Sequence, residues 1–347
     1  MSTLTNISFL GIALFLVVAC SPRGELEFVH PSQAAGLNTQ RIWVAKFRNE
    51  ANGSAAFGLK RPTSVKLEEH IISIPTDHQP GQLRLPSKRA NPNRHFMTFR
   101  VNSYDSPRKF AADVRLSDKS GARETLLFVH GYNTTHAEAV YRFVQTVHDY
   151  GVPVPAVLFS WPSAAQARGY IYDRDSVALS RDHLEELIYL LTENGDDVLL
   201  AGHSMGTLLI METLRQMENK APGSVARHID GIVLISPDID PEVFREQVDE
   251  LDKVPSPFIV MTSRKDGALK LSGLLTGRDV RLGNLADPSE TDGLPITQID
   301  LTNVADGSKF DHSTFATSPA AIALLRGLVG NRPLGDQEVA DTVLTAG

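Results

Sequence analysis

Residues 198–214 read VLLAGHSMGTLLIMETL: four apolar or small residues run into Gly-His-Ser-Met-Gly and then into an apolar pattern of helical spacing. A Gly-x-Ser-x-Gly between a strand and a helix is the signature of a nucleophile elbow. So tight a turn holds Ser204 in a strained backbone conformation, and side chains at Gly202 and Gly206 would collide with the adjacent strand and helix. The Ser204 hydroxyl is then presented at the carboxyl edge of a parallel sheet, where ligands bind in open α/β folds.

The surroundings fit that context. Short apolar strands are predicted at 125–129, 156–159, 198–201, 231–236, 258–262 and 296–301, with helices at 137–148, 176–192, 207–216 and 320–328. Alternation of this kind predicts an α/β fold whose mostly parallel sheet is covered by helices on both faces. Upstream, residues 41–47 (RIWVAKF) and 70–75 (HIISIP) read as strands of an N-terminal β extension, and residues 76–94, rich in Pro, Gly and Asn, read as loop. With 347 residues, 42% hydrophobic and 22% charged, the chain can bury a sizeable core. Its formal net charge of -7 and the lack of any basic block exclude nucleic acid as an expected partner.

The N-terminus has its own chemistry. Residues 7–19, ISFLGIALFLVVA, carry no charge and lead into Cys20, the single cysteine of the chain. The run is shorter than the ~20 residues a membrane span requires but suits a signal-peptide core. VVAC resembles a bacterial lipobox, which implies lipidation of Cys20 and, with Ser21 next, a place on the outer membrane facing the periplasm. One feature departs from that pattern: no Lys or Arg precedes Arg23. The expected organisation is a signal peptide at 1–19, a tether at 20–39, a catalytic domain at 40–330 with its N-terminal extension at 40–115, and a polar tail at 331–347.

A serine hydroxyl needs a base, and the oxyanion it generates needs donors already in place. In residues 126–133, LLFVHGYN, an apolar strand ends in His-Gly. The loop after that strand and the residue after the nucleophile supply the two backbone N–H groups of the oxyanion hole, here Tyr132 and Met205. His130 is expected to shape the loop by hydrogen bonding. For the base, the chain order is serine, acid, histidine. Only His228 and His312 follow Ser204; His228 precedes a strand, at the wrong edge of the sheet, which leaves His312. The acid is Asp266 or, second to it, Asp238 or Asp240, all at strand ends. Asp240 also reads as the opening residue of a helix starting at Pro241.

Trp161 follows a strand on the same edge and reads either as pocket lining or as core. Asp173 and Ser176 read as caps of a long helix. No CxxC and no His-Glu ligand cluster is present, so neither a metal nor another cofactor is expected. Residues 269–295 begin with a short helix and then either form a plain surface loop or fold back as a partial lid, with Leu274, Leu275 and Leu285 toward an acyl chain.

The combination of IWVAKFR, FGLKRP, IISIPTDHQPGQL, FVHGYNTT, FSWPS, GHSMG, SPDID, SRKDGALKLS and DHSTF resembles the DUF900 branch of the α/β-hydrolase superfamily, over residues 41 to about 329. The resemblance implies an α/β-hydrolase fold with Ser204, Asp266 and His312 as triad. GHSMG stands where many members have AHSMG, which leaves the elbow geometry intact. The family has no agreed substrate. The chemistry expected is cleavage of a small-molecule carboxylic ester through an acyl-enzyme. Its rivals are an acyltransferase and a membrane-tethered binding protein on the same fold.

Overall fold

The computed structural model describes residues 25–48, 61–86, 89–278, 280–285, 287–304 and 312–330. Cys20, residues 1–19 that read as a signal peptide, and the tail from residue 331 lie outside the described residues. Nine strands form one sheet: β1 (Thr39–Lys46), β2 (Lys66–Ser73), β3 (Met97–Tyr104), β4 (Glu124–Val129), β5 (Ala156–Ser160), β6 (Asp197–His203), β7 (Ile229–Ile235), β8 (Phe258–Thr262) and β9 (Thr297–Asp300). Their spatial order is β3-β2-β1-β5-β4-β6-β7-β8-β9. From β1 through β5 to β9 all neighbours are parallel, whereas β2 runs antiparallel to both β1 and β3. This is the expected parallel sheet with an N-terminal β extension.

Helices α1 (Pro107–Leu116), α2 (His136–Tyr150), α3 (Tyr170–Thr192), α4 (Met205–Lys220), α5 (Ser224–His228), α6 (Pro241–Asp249), α7 (Gly267–Thr276), α8 (Thr314–Thr317) and α9 (Pro319–Gly330) complete the domain. Two hydrophobic cores lie on opposite faces of the sheet. One packs β-strand residues such as Leu127, Val157 and Leu200 against Leu184 of α3 and Leu209 of α4. The other packs Phe128, Leu158 and Ile299 against Phe143 of α2 and Ile322 of α9. Burial on both faces is why the central strands read as continuous apolar runs. Among the described residues no helix is long and apolar enough to cross a membrane.

Several elements depart from the sequence reading. Strand β2 begins at Lys66, four residues before the predicted one, and β3 and α1 were not predicted at all. β3 is an edge strand with only its first two residues fully buried, so its polar side chains hide the strand. Helix α3 begins at Tyr170 rather than residue 176, which places Asp173 inside its first turn. The region after α7 is a packed strap, not a free lid. Ser263 N–H donates to Gly283 O at 2.8 Å, Gly283 N–H to Pro237 O at 2.9 Å and Leu282 N–H to Ile239 O at 2.8 Å. Leu285 is buried in the core, while Leu274 and Leu275 face outward at 68% and 55% exposure.

Candidate active site

The elbow has the conformation its spacing demands. Ser204 has φ 53° and ψ -125°, a region that costs a non-glycine residue on the order of 1–3 kcal/mol. The fold fixes it there: Ser204 N–H donates to Ile235 O at 2.9 Å, and Ser204 O accepts from Thr207 N–H at 3.0 Å. A Cβ on Gly206 would lie 2.4 Å from His130 O and 2.6 Å from Val129 O, and one on Gly202 2.6 Å from Ile210 Cδ1. Gly206 faces backbone at the end of β4 and admits no side chain, whereas at Gly202 the near atom is the tip of the Ile210 side chain in α4, which would have to shift.

The loop after β4 lies directly against the elbow. A Cβ on Gly131 would fall 3.1 Å from Ser204 Cβ and 2.8 Å from His203 Nδ1, so only glycine lets this backbone approach so closely. Met205 opens α4, where backbone N–H groups have no partner within the helix. Tyr132 is in the same loop, with its hydroxyl donating to Ala167 O and its ring edge-on to Tyr170. Thr135 ends the loop with a capping box, its hydroxyl accepting from Glu138 N–H while Glu138 accepts from Thr135 N–H.

Two neighbours brace the loop. Trp161 is fully buried. Its indole N–H donates to His130 O at 2.7 Å, and its ring stacks on that of His130 at 5.1 Å and 10°. A side chain with no exposure lines no open pocket, so Trp161 has the core role. His130 donates from Nδ1 to Gly131 O at 2.9 Å; burial, with Arg48 nearby, pushes its pKa down to about 3, so the ring is neutral.

His312 Nδ1 donates to Asp266 Oδ2 at 2.7 Å, across a separation of 46 residues. Asp266 is fully buried, and the His312 side chain is 20% exposed. The other Asp266 oxygen, Oδ1, accepts from Ala268 N–H and Leu269 N–H, both at 3.0 Å, and so caps α7. The carboxylate is thus aimed by the helix it starts.

The remaining candidates are placed elsewhere. Asp238 is buried with Arg281 at 2.8 Å and accepts from Ser272 and Tyr170 hydroxyls at 2.9 and 3.0 Å, binding the strap after α7 to the end of β7. Asp240 caps α6 through Glu242 N–H and pairs with Arg278. His228 ends α5 against the Thr192 hydroxyl, at the entry to β7. Asp173 corrects its reading as a cap: buried, it accepts from Ala164 N–H at 2.6 Å, the Ser163 hydroxyl at 2.7 Å and Asn133 N–H at 3.2 Å. It therefore ties the Gly131 loop to the chain after β5, and burial pushes its pKa upward. Ser176 instead donates to Tyr172 O and accepts from Arg61 Nε at 2.9 Å.

Residues 108–332 match the family model "Alpha/beta hydrolase of unknown function (DUF900)". The chain belongs to the DUF900 family. No curated protein matches the sequence. Among solved structures, the DUF900 chain is similar to a predicted CIB-like hydrolase from Thermoplasma acidophilum, at 12% identity and a TM-score of 0.38, over 84% of this chain and 100% of that one. It is similar also to an esterase B from Lactobacillus rhamnosis, at 10% identity and a TM-score of 0.40, over 89% and 93% of the two chains. A third similarity is to EstE1, a thermostable carboxylesterase from a metagenomic library, at 12% identity and a TM-score of 0.34, over 91% and 92%.

One residue of this DUF900 site escaped the sequence reading altogether. His203, the variable residue before the serine, donates from Nε2 to the backbone carbonyl of His312 at 2.9 Å. Its ring lies 4.6 Å from that of His312 and 5.1 Å from that of Phe315. Burial, together with the neighbouring His312, pushes its pKa down to about 3, so it is a neutral donor that joins the elbow to the His312 segment. Its position within the motif is the only sequence signal, and that position says nothing of its partner.

Proposed function

We propose that this protein is a serine hydrolase of carboxylic esters, with Ser204 as nucleophile, His312 as base and Asp266 as acid. The observation that carries the reading is the 2.7 Å His312–Asp266 pair on the sheet edge where Ser204 is held at positive φ. Ser204 attacks the carbonyl carbon, and its proton passes to His312 Nε2 while Asp266 holds the ring by Nδ1–H and stabilises the imidazolium. The oxyanion is received by the N–H groups of Tyr132 and Met205. The imidazolium then protonates the departing alcohol, leaving an acyl-enzyme. Water, deprotonated by the same ring, attacks that acyl group and releases the acid and free Ser204.

The close Gly131 backbone supports an oxyanion pocket: a peptide this near the serine lets a substrate oxygen reach both donors. Residues 7–20 support a lipid anchor through Cys20, which would hold the enzyme on the periplasmic face of the outer membrane.

The test is labelling by a fluorophosphonate and turnover of p-nitrophenyl esters of graded acyl length, in wild type and Ser204→Ala. Wild type should label and turn over, and the variant should do neither while melting normally. Loss of triad function typically costs several powers of ten in rate. Turnover undiminished in Ser204→Ala would end the proposal.

A further inference from the structure

We infer that His78, His148 and Asp149 form a binding site for a divalent transition-metal ion of the zinc class. His78 lies in the loop after β2, and the other two residues close the last turn of α2. Asp149 is thirteen residues from His136, at the start of that helix, so the site lies about 20 Å along α2 from the elbow edge. No spacing in the sequence announces it, because the loop and the helix end meet only in the fold.

Each of the three residues offers one ligand atom, and these atoms all lie within 4.8 Å of one another. Zinc bonds of about 2.0–2.2 Å in tetrahedral geometry put ligand atoms about 3.4 Å apart. His78 Nε2 and Asp149 Oδ1 share a hydrogen bond at 2.5 Å, closer than two ligands of one ion sit, so an ion must displace the shared proton and part the pair by about 1 Å; the His78 and His148 rings are 5.6 Å apart at 63°. Asp149 is oriented as metal-bound carboxylates are, by outer partners on its second oxygen: Gly81 N–H at 2.8 Å and the Gln145 amide.

His78 also has a buried nitrogen, Nδ1, with no partner among the described residues, an acceptor the protein leaves unused. His148 is only half-buried, which gives solvent a way in.

A second cluster, Glu68, His70 and His136, has two of its three residues buried, against one here, so an ion reaches it less readily. Two cations lie near each cluster: Lys46 and Arg48 beside His136, and Arg142 and Arg326 beside Asp149, where they donate to the backbone carbonyls of Ala316 and Asp149.

The site has a mechanical connection. Gln145 and Arg142 both donate to Ala316 O, and the Tyr150 hydroxyl donates to Phe315 O at 2.8 Å. The Gly81 backbone is pressed against Thr317 O, 2.4 Å from where a Cβ would sit. An ion here braces α8, the segment that follows His312.

The test titrates the full chain, stripped by chelator, with zinc chloride and separately with magnesium chloride, by calorimetry and thermal unfolding. Zinc should bind one per chain and raise Tm by about 5 °C at a hundredfold excess over its Kd. Magnesium, which prefers oxygen ligands, should do neither. His148→Ala should melt as the metal-free wild type does and lose at least tenfold in zinc affinity, whereas Glu68→Gln should keep the wild-type response. No stoichiometric zinc, or full zinc affinity in His148→Ala, would overturn the proposal.

Discussion

Asparagine at position 266 changes a charge and a proton pattern while keeping nearly every atom of a fully buried side chain. In the native site one carboxylate oxygen caps α7 with two 3.0 Å bonds and the other receives His312 Nδ1–H at 2.7 Å. In Asp266→Asn the amide oxygen can keep the cap, which turns the amide NH2 toward His312. That donor forces Nδ1 to accept and moves the ring proton to Nε2, the nitrogen that takes the proton from Ser204 in the proposed mechanism. The expected loss is about 10⁴ in kcat, or about 5.5 kcal/mol of transition-state stabilisation. Stability should change little, since helix caps cost about 1 kcal/mol only when the acceptor is removed.

Asp238→Asn is the paired control. It leaves Arg281, only 3% exposed, without its counter-charge, so about 3–5 kcal/mol of stability should go while the folded fraction keeps its specific activity. The assays are p-nitrophenyl ester turnover, the rate of fluorophosphonate labelling, and denaturant unfolding of the same preparations. Turnover of Asp266→Asn within tenfold of wild type, with folded Asp238→Asn inactive, would refute the reasoning and move the acid to the earlier strand.

His203→Phe keeps a ring in the pocket but removes the donor to His312 O; kcat should fall by about one to two powers of ten with KM within twofold, and His203→Gln, which can donate, should recover part of it. A kcat unchanged in His203→Phe would show that the His312 segment is held by other contacts. Acid should destabilise the fold through the buried neutral histidines. His130 and His203 have folded pKa values of about 3 against an ordinary 6.5, so between those pH values the unfolded chain binds protons that the folded one does not. Stability therefore declines as pH falls below 6.5, by about 2 kcal/mol for each at pH 5; an unfolding free energy flat from pH 6.5 to 5 would contradict their neutral burial. Cys20→Ser should lose fatty-acid label and move the protein from the membrane fraction to the soluble periplasmic one, and a parent that carries no such label would refute the anchor.

What the sequence determined by itself is the part of the design written in neighbouring residues. Gly202, Ser204 and Gly206 announce the elbow because the clashes they avoid follow from where each residue sits in one tight turn. The central strands are legible because burial on both faces demands unbroken apolar runs, and Asp240 before Pro241 reads as a cap because capping is a contact over two residues. β3 and α1 lacked that legibility: an edge strand has solvent for a neighbour and tolerates MTFRVNSY. Tertiary structure decided whatever depends on which distant group arrives. Asp238, Asp240 and Asp266 are chemically alike and each follows a strand. Only packing gives Asp238 to Arg281, 43 residues on, and Asp266 to His312, 46 residues on. The same holds for Asp173, which reads as a cap until the Gly131 loop is seen to hang from it, and for His203, His78 and Asp149. A short-range pattern constrains the backbone over a few residues, whereas a side chain's partner is chosen by the whole chain's path, and with it whether a carboxylate holds a strap, a helix or a histidine.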